Sequence, residues 1–304
     1  MAEKEKIKVA ENKTYSFYKD HKPEFAVKPG ESFMIEAEDC FSGQVKNEET
    51  TVEKIDWDKM NPVSGPVFIE GAEPGDIIQI EIEKIELADE AVMVALPREG
   101  LFGDYFKQSY TKMLPLQEGK IEFSEDIKLN QEPMVGVLGV APAGEKVSTG
   151  IPGPHGGNMD CKLIKEGSSV YLPVNVPGVL LAAGDMHALM GDGEVVFCGA
   201  EAAGQVKMNV NLKKELNIPT PLIVTENKIT MVASAGTLYK AVKKSAEKML
   251  RFLTENLDFT QEQAGMFLSL QGNSEICQVV DPLQTARFTI SKDTPGLEKI
   301  HNKI

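Results

Sequence analysis

The sequence is poor in cysteine, histidine and tryptophan, and it has no long apolar run. Its 304 residues include four cysteines, four histidines and a single tryptophan. No two cysteines form a C-x-x-C pair, so the pattern predicts neither a zinc knuckle nor a disulfide framework. No apolar run approaches the ~20 residues of a membrane helix, and the charged first residues lack the apolar core of a secretion signal. We therefore expect a cytoplasmic protein with reduced thiols and no membrane contact.

An excess of basic residues is missing as well. The chain has 32 lysines and arginines against 46 acidic residues, which gives a formal net charge of −14. Nucleic acid or an anionic membrane surface would repel such a chain, so we expect neither as a partner. A small neutral substrate would be indifferent to this charge. The hydrophobic share of 42% is typical of a globular protein with a sizeable core.

Four common catalytic motifs are also missing. The chain contains no G-x-S-x-G elbow, no H-E-x-x-H, no P-loop and no G-x-G-x-x-G. His155, Gly156 and Gly157 look like the oxyanion loop of serine esterases, but that loop acts together with the missing elbow. Any catalytic activity of this chain must therefore depend on residues outside these four motifs.

Strand patterns dominate the first two thirds of the chain. Ile78, Ile80 and Ile82 alternate with polar residues, which predicts a strand with one buried and one wet face. Asp192 and Gly193 form a strong turn signal, which predicts a hairpin whose second strand is 194–198. Many further glycine and proline turns separate short apolar segments. The pattern predicts a mainly β protein with a β-sandwich or barrel-like body.

Helical spacing appears in the C-terminal part of the chain. Apolar residues recur at intervals of three and four from Leu238 to Leu257, which predicts an amphipathic helix. Thr260 and Gln263 form a capping box that begins a second helix, and this helix ends near Gly272. Strand-like segments flank both helices, so we expect an appended C-terminal α+β unit. We divide the chain into an N-terminal β-sandwich part (1–140), a central β segment carrying the active site (141–216) and a C-terminal α+β part (217–304).

Histidines and acids lie among glycines and apolar residues in the stretch 150–201. Burying an unpaired charge there is costly, and a metal ion is a suitable shared partner for carboxylates and imidazoles. Asp185 and His187 are two residues apart, so on a strand both side chains point the same way. His155 and Asp160 lie in a glycine-rich loop. We predict these four residues as metal ligands; the alternatives are a turn histidine at 155 and a surface ion pair at 185 and 187.

Catalytic roles follow from the residues around these ligands. Glu201 lies among glycines and alanines, where burial raises the proton affinity of a carboxylate and suits it to act as a general base. Asn158 and the backbone amides of Gly156 and Gly157 are predicted to hold an oxyanion. Glu194 is interpreted as a turn residue. Zinc is favoured by two imidazoles, and calcium or magnesium would suit the many oxygen ligands.

Two other functions remain open from the residues alone. Cys161 lies between Asp160 and Lys162 and could be the nucleophile of a metal-free thiol amidase. Alternatively, the same acids could hold a structural calcium ion in a β-sandwich binding module that has no catalytic activity. Sensitivity to thiol reagents favours the first of these functions, and bound calcium without ammonia release favours the second.

Five segments resemble the signature sequences of the acetamidase/formamidase family. They are PGPHGGNMD (152–160), AAGDMHALMGDGEV (182–195), CGAE (198–201), SGPVFIEGAEPGD (64–76) and QVVDP (278–282). The resemblance runs along nearly the whole chain in the same order. It implies a sandwich-rich β body with a C-terminal α+β part, metal dependence, and hydrolysis of small neutral amides such as formamide and acetamide to carboxylate and ammonia. It also implies assembly into a homodimer or a higher homo-oligomer.

Overall fold

A computed structural model of the chain describes residues 7–297 and residue 304. The predicted ranges 1–140 and 217–304 therefore include some residues that lie outside the described part. Within that part, the α-helices are α1 (Leu238–Asn256) and α2 (Gln261–Gln271), and short 3-10 turns span Val52–Lys54, Trp57–Lys59 and Gly103–Tyr105. The strands are β1 (Val9–Ala10), β2 (Lys13–Thr14), β3 (Ser16–Phe17), β4 (Phe25–Val27), β5 (Ser32–Ala37), β6 (Val63–Ile69), β7 (Ile77–Leu87), β8 (Glu90–Ala95), β9 (Tyr110–Gln117), β10 (Lys120–Glu122), β11 (Lys128–Asn130), β12 (Met134–Val140), β13 (Val147–Ser148), β14 (Gly156–Asn158), β15 (Ser169–Pro173), β16 (Leu181–His187), β17 (Glu201–Ala202), β18 (Gly204–Lys213), β19 (Leu222–Val224), β20 (Lys228–Ala235), β21 (Asn273–Gln278) and β22 (Gln284–Ser291).

Two large sheets form the body. The first has the strand order β1-β5-β18-β7-β15-β19-β20-β22-β21. The second has the order β11-β10-β9-β8-β17-β16-β12-β14, and β6 pairs with β16, β2 and β4 at its side. In β7, Ile78, Ile80 and Ile82 are fully buried and their polar neighbours face outward, so the predicted one-sided strand is confirmed.

The main core lies between these two sheets. One cluster of buried apolar side chains draws on both of them. The first sheet contributes Phe33, Ile35, Ile80 and Met208, and the second contributes Val67, Val135, Leu138 and Leu181. Burial of such side chains stabilises the fold by roughly 1.5–3 kcal/mol each before entropy is counted. The predicted mainly β, sandwich-like body is therefore confirmed.

The C-terminal helices pack on the far end of the first sheet. Met249, Phe252 and Leu253 of α1 join side chains of β20 and β22 in a second apolar cluster. Thr260 and Gln263 form the predicted capping box, and α2 ends at Gly272 as expected. Among the described residues, neither helix combines the length and apolarity that a membrane crossing requires.

The predicted three-part division remains a prediction, and strand pairing runs across its boundaries. Strand β7, from the first part, pairs with β15 and β18 of the second. Strand β15 in turn pairs with β19 of the third part. The appended α+β unit therefore continues the first sheet of the body.

The chain does reverse after His187, and β16 pairs antiparallel with β17, with His187 opposite Glu201, but the predicted second strand at 194–198 is wrong. Residues 194–198 form an irregular loop, in which Glu194 is buried and has the left-handed φ of 50°. The turn at Gly193 bonds instead to the end of β21: its N–H donates to Cys277 O at 2.8 Å, and Val279 N–H donates to its carbonyl at 3.1 Å. The strand that pairs with β16 after this loop is β17 (Glu201–Ala202).

Candidate active site

Gly136 of β12 lets two carboxylates approach each other. Asp185 of β16 lies beside it with φ 57°, and Asp160 follows β14 with φ 42°. A Cβ added at Gly136 would lie 2.5 Å from Asp160 Oδ1 and 2.9 Å from Asp185 Oδ2. Such contacts are impossible for a real side chain, so glycine at this position creates the space in which the two acids meet.

His187 and Glu201 complete this buried group. Strands β16 and β17 pair with His187 opposite Glu201. His187 Nε2 lies 3.2 Å from Glu201 Oε1, 3.4 Å from Asp185 Oδ1 and 3.8 Å from Asp160 Oδ1. All four side chains are almost completely buried. The structure therefore brings together three of the four predicted metal ligands and the predicted base.

Glu194 and Asp281 extend the group, although the sequence did not identify either as a site residue. Glu194 lies close to Asp160 and His187, with donor atoms of all three within 4.8 Å of one another. Asp281 accepts a hydrogen bond from Asn158 Nδ2 at 2.9 Å, and its carboxyl group is close enough to that of Asp160 for each to affect the pKa of the other. The sequence feature that could have identified Asp281 is an acidic residue directly after the apolar pair at 279–280. We call the five acids Asp160, Asp185, Glu194, Glu201 and Asp281, together with His187, the acidic cluster.

The acidic cluster is strained and incompletely hydrogen-bonded. Asp160, Asp185 and Glu194 all adopt positive φ values, each costing about 1–3 kcal/mol unless the surroundings compensate. Asp160 Oδ1, Asp185 Oδ1 and Glu201 Oε2 are buried without a hydrogen-bond partner. Unsatisfied buried polar atoms cost a further ~1–3 kcal/mol each. Costs of this kind concentrate at functional sites, where a bound group offsets them.

Burial sets the proton affinities of the acids. Burial and the charge of Asp185 raise the pKa of Asp160 to about 7. Burial raises the pKa of Glu201 to about 8, although His187 opposes the shift. Burial and the charge of Asp160 raise the pKa of Glu194 well above its usual value, and the same causes act on Asp281.

The only imidazole of the acidic cluster responds in the opposite direction. Burial favours the neutral form of His187, but the charges of Glu201 and Asp185 raise its pKa well above the ordinary value. Burial would also raise the pKa of Asp185, yet the neighbouring imidazole holds it below its usual value. One imidazolium cannot neutralise five carboxylates, so the remaining acids need protons or a cation.

The donor set fits a divalent cation. Among the described residues, Asp160, His187 and Glu194 form one candidate ligand group, and Cys40, Asp185 and Glu201 form another. Oxygen and nitrogen donors that are already desolvated and lack hydrogen-bond partners are suitable metal ligands. An ion here would satisfy the unpaired oxygen atoms and relieve the repulsion between the carboxylates.

His155 does not join the acidic cluster, contrary to the prediction. Its ring packs edge-on against Phe17 with 5.2 Å between centroids, and its Nε2 has no hydrogen-bond partner. Burial alone lowers its pKa to about 4, without a contribution from any charged neighbour. The glycines around it turn the loop so that the imidazole packs beside Gly153 and Gly157. His155 is therefore a buried neutral side chain.

The predicted oxyanion donors are also only partly in place. Gly156 N–H donates to Gly153 O at 3.1 Å, so it is not free for a ligand. Gly157 pairs with Leu138 in the sheet, and neither glycine lines the cavity next to the acidic cluster. Asn158 does line it, and one of its amide hydrogens is already donated to Asp281.

The cavity next to the acidic cluster has a volume of about 540 Å³. Its inner end carries the buried acids, and the partly exposed Trp57 lies at its mouth with Phe197. Cys161, the alternative nucleophile, is fully buried and does not line this cavity. The thiols on the cavity wall are Cys40 and Cys198.

All six residues of the acidic cluster lie in the segments that carry the family resemblance. A family model for acetamidases and formamidases matches residues 2–151 and 143–291. The chain belongs to the acetamidase/formamidase family. The resemblance inferred from the sequence segments is thereby confirmed.

Solved structures of this family share the whole fold. The acetamidase of Bacillus halodurans is 40% identical, with a TM-score of 0.93 over 97% of this chain and 99% of that chain. A predicted acetamidase/formamidase of Thermoanaerobacter tengcongensis is also 40% identical, with a TM-score of 0.94 over 98% and 99%. A formamidase of Methylophilus methylotrophus is 28% identical over an alignment of 248 positions, and the match covers 62% of this chain and 61% of that enzyme. The chain thus matches about three fifths of the length of its curated relatives.

Proposed function

We propose that this chain hydrolyses carboxylic amides to a carboxylate and ammonia at the acidic cluster, with a divalent metal ion bound there. The observation that carries the proposal is the convergence of Asp160, Asp185 and Glu201 on His187, with the three carboxylates lining one cavity. The relatives named acetamidase and formamidase support the same reaction class.

The metal would be held by Asp160, Asp185 and His187, with Glu194 beside them. Bound there, the ion would polarise the amide carbonyl and lower the pKa of a water molecule to about 7. The sequence-based expectation of zinc rested on two imidazole ligands, His155 and His187. Of these two, His187 lies in the acidic cluster. Because imidazole is a poor ligand for calcium and magnesium, we propose zinc ahead of these hard cations.

Glu201 is placed to move the proton. The N–H of Gly199 donates to Glu201 Oε1 at 2.8 Å, and His187 lies beside the same oxygen. Glu201 Oε2 has no partner, so it can accept a proton from water and deliver it to the departing nitrogen. In the metal-free protein, burial raises the pKa of Glu201 to about 8, and a carboxyl group with raised proton affinity can serve as both base and acid. Such a group contributes about 100- to 10,000-fold to a rate.

Asn158 is the remaining candidate for stabilising the oxyanion. Its Nδ2 carries two hydrogens, and one of them is held by Asp281 at 2.9 Å. The other can be donated toward the cavity that Asn158 lines. A donor in this role is typically worth about 3 kcal/mol in the transition state.

The two other functions lose support from the geometry. Cys161 lies away from the cavity, so a thiol mechanism there has no substrate in reach. A structural calcium site would not need an unpartnered Glu201 oxygen beside an open cavity. Assembly into a homo-oligomer remains a prediction.

An ammonia-release assay tests the proposal. We expect ammonia from formamide and acetamide, loss of release after chelation, and recovery when zinc is added back. Glu201→Gln should lower the rate strongly, while the exposed Glu90→Gln control on β8 should not. Absence of ammonia from every amide would overturn the reaction class, and full activity in chelated protein would overturn the metal role alone.

A further inference from the structure

We infer, on the basis of the proposed function, that the site accepts neutral amides whose acyl group is larger and more apolar than acetyl. Trp57 and Phe197 would bind this acyl group at the mouth of the cavity, while the amide group reaches the acidic cluster. The inference deepens the proposed function because it specifies the substrate class of the same site.

The size of the cavity is the first reason. Formamide has three non-hydrogen atoms and occupies the space of about three waters, roughly 90 Å³ at ~30 Å³ each. The cavity measures about 540 Å³, which lies within the ~300–1,000 Å³ typical of sites for much larger ligands. A site specialised for formamide would leave most of this space to water.

The second reason is the apolar wall at the mouth. Trp57 lies on a short 3-10 turn with 41% of its surface exposed. Its ring meets that of Phe197 edge-on, with centroids 6.0 Å apart, and Phe197 lies 6.4 Å from the fully buried Phe41. Ile151 and Val280 line the same cavity. Aromatic rings held in place by a core residue form a ready binding surface for an apolar group.

The third reason is the charge of the lining. Six acidic side chains line the cavity, and no lysine or arginine does so among the described residues. Five belong to the acidic cluster, and Glu99 is the sixth. A substrate bearing its own carboxylate would find no cationic side chain on this lining to pair with, and it would lie among carboxyl groups instead. The acyl group is therefore both apolar and uncharged.

A homologous series of amides tests the inference. From acetamide through propionamide to butyramide, kcat/KM should rise about fourfold for each methylene that enters an apolar site. Succinamate, in which a carboxylate replaces the terminal methyl group of butyramide, should be at least tenfold poorer than butyramide. Trp57→Ala should reduce the ratio of butyramide to formamide activity, while Tyr239→Ala, an exposed aromatic residue on α1 away from the cavity, should not. A preference for formamide in the wild type, or an unchanged ratio in Trp57→Ala, would overturn the inference.

Intrinsic fluorescence separates this inference from the proposed function. Trp57 is the only tryptophan of the chain, so its emission reports directly on occupancy of the mouth. Butyramide should change the emission at lower concentration than formamide, and Phe197→Ala should weaken that response. If no amide is hydrolysed, the proposed reaction fails while this titration still tests the apolar site. Equal responses to both amides would then count against the inference.

Discussion

Replacing Gly136 with alanine is the most informative small change at this site. The added methyl group would lie 2.5 Å from Asp160 Oδ1 and 2.9 Å from both the backbone oxygen and Oδ2 of Asp185. Ordinary carbon–oxygen contacts are near 3.4 Å or longer, so at least one carboxylate must move by about 0.5–1 Å. Backbone strain is not the cause, because Gly136 has an ordinary φ that alanine also adopts.

The expected effect on activity is much larger than the effect on stability. Overpacking of this kind costs about 1–3 kcal/mol of unfolding free energy, which a well-packed two-sheet body tolerates. A displacement near 1 Å in a catalytic constellation can lower a rate about 100-fold. We therefore expect Gly136→Ala to fold, to bind zinc more weakly, and to lose about 99% of its ammonia-releasing activity.

The matched control is Gly144→Ala, where an added Cβ meets nothing within 4 Å. Circular dichroism and urea unfolding measure the fold, and elemental analysis and ammonia release measure the site. If Gly136→Ala kept wild-type metal content and activity, the two carboxylates would not be acting together, and the proposed site would be wrong. Loss of the folded state in both alanine variants would show a general packing effect instead.

Three further predictions concern the acidic cluster. His155→Phe should keep wild-type metal content, because His155 packs on Phe17, whereas His187→Phe should lose the metal; the reverse result in elemental analysis would restore His155 as a ligand. Glu201→Gln should lower kcat about 100- to 10,000-fold with little change in metal content, and a rate within tenfold of wild type would exclude Glu201 as the base. Chelated protein should become less stable between pH 5 and pH 8 by more than ~2 kcal/mol, because Glu201 and Asp160 hold protons in the folded state that the unfolded chain has released. Urea unfolding at several pH values measures this change of unfolding free energy with pH. Added zinc should make the change smaller. An unfolding free energy that rises with pH in the chelated protein would contradict the prediction.

Local sequence patterns predicted much of the fold. The alternation in β7 and the capping box of α2 correspond to interactions between residues close in sequence, and such patterns are readable from one chain. The loop 194–198 could not be predicted this way. Its apolar run suits a strand, but the carbonyl of Val195 accepts a hydrogen bond from Leu101 N–H, and Gly193 just before the loop bonds to Cys277 and Val279; all three partners lie far away in sequence.

The site was predictable where spacing alone brings residues together. Asp185 and His187 share one strand, and Glu201 pairs across from His187. Asp281 reaches the acidic cluster through tertiary packing, and only its contact with Asn158 and Asp160 reveals its place. The prediction of His155 as a metal ligand failed for a similar reason, since nothing local in a glycine-rich loop fixes the direction of its imidazole.

Metal titration of chelated protein, with ammonia release followed in parallel, tests the central claim most directly. Activity toward a short amide should rise in proportion to bound zinc, and His187→Ala should show neither binding nor recovery. Activity that is complete before any metal is added, or zinc that binds His187→Ala as tightly as wild type, would contradict the claim that the acidic cluster holds the ion used in catalysis.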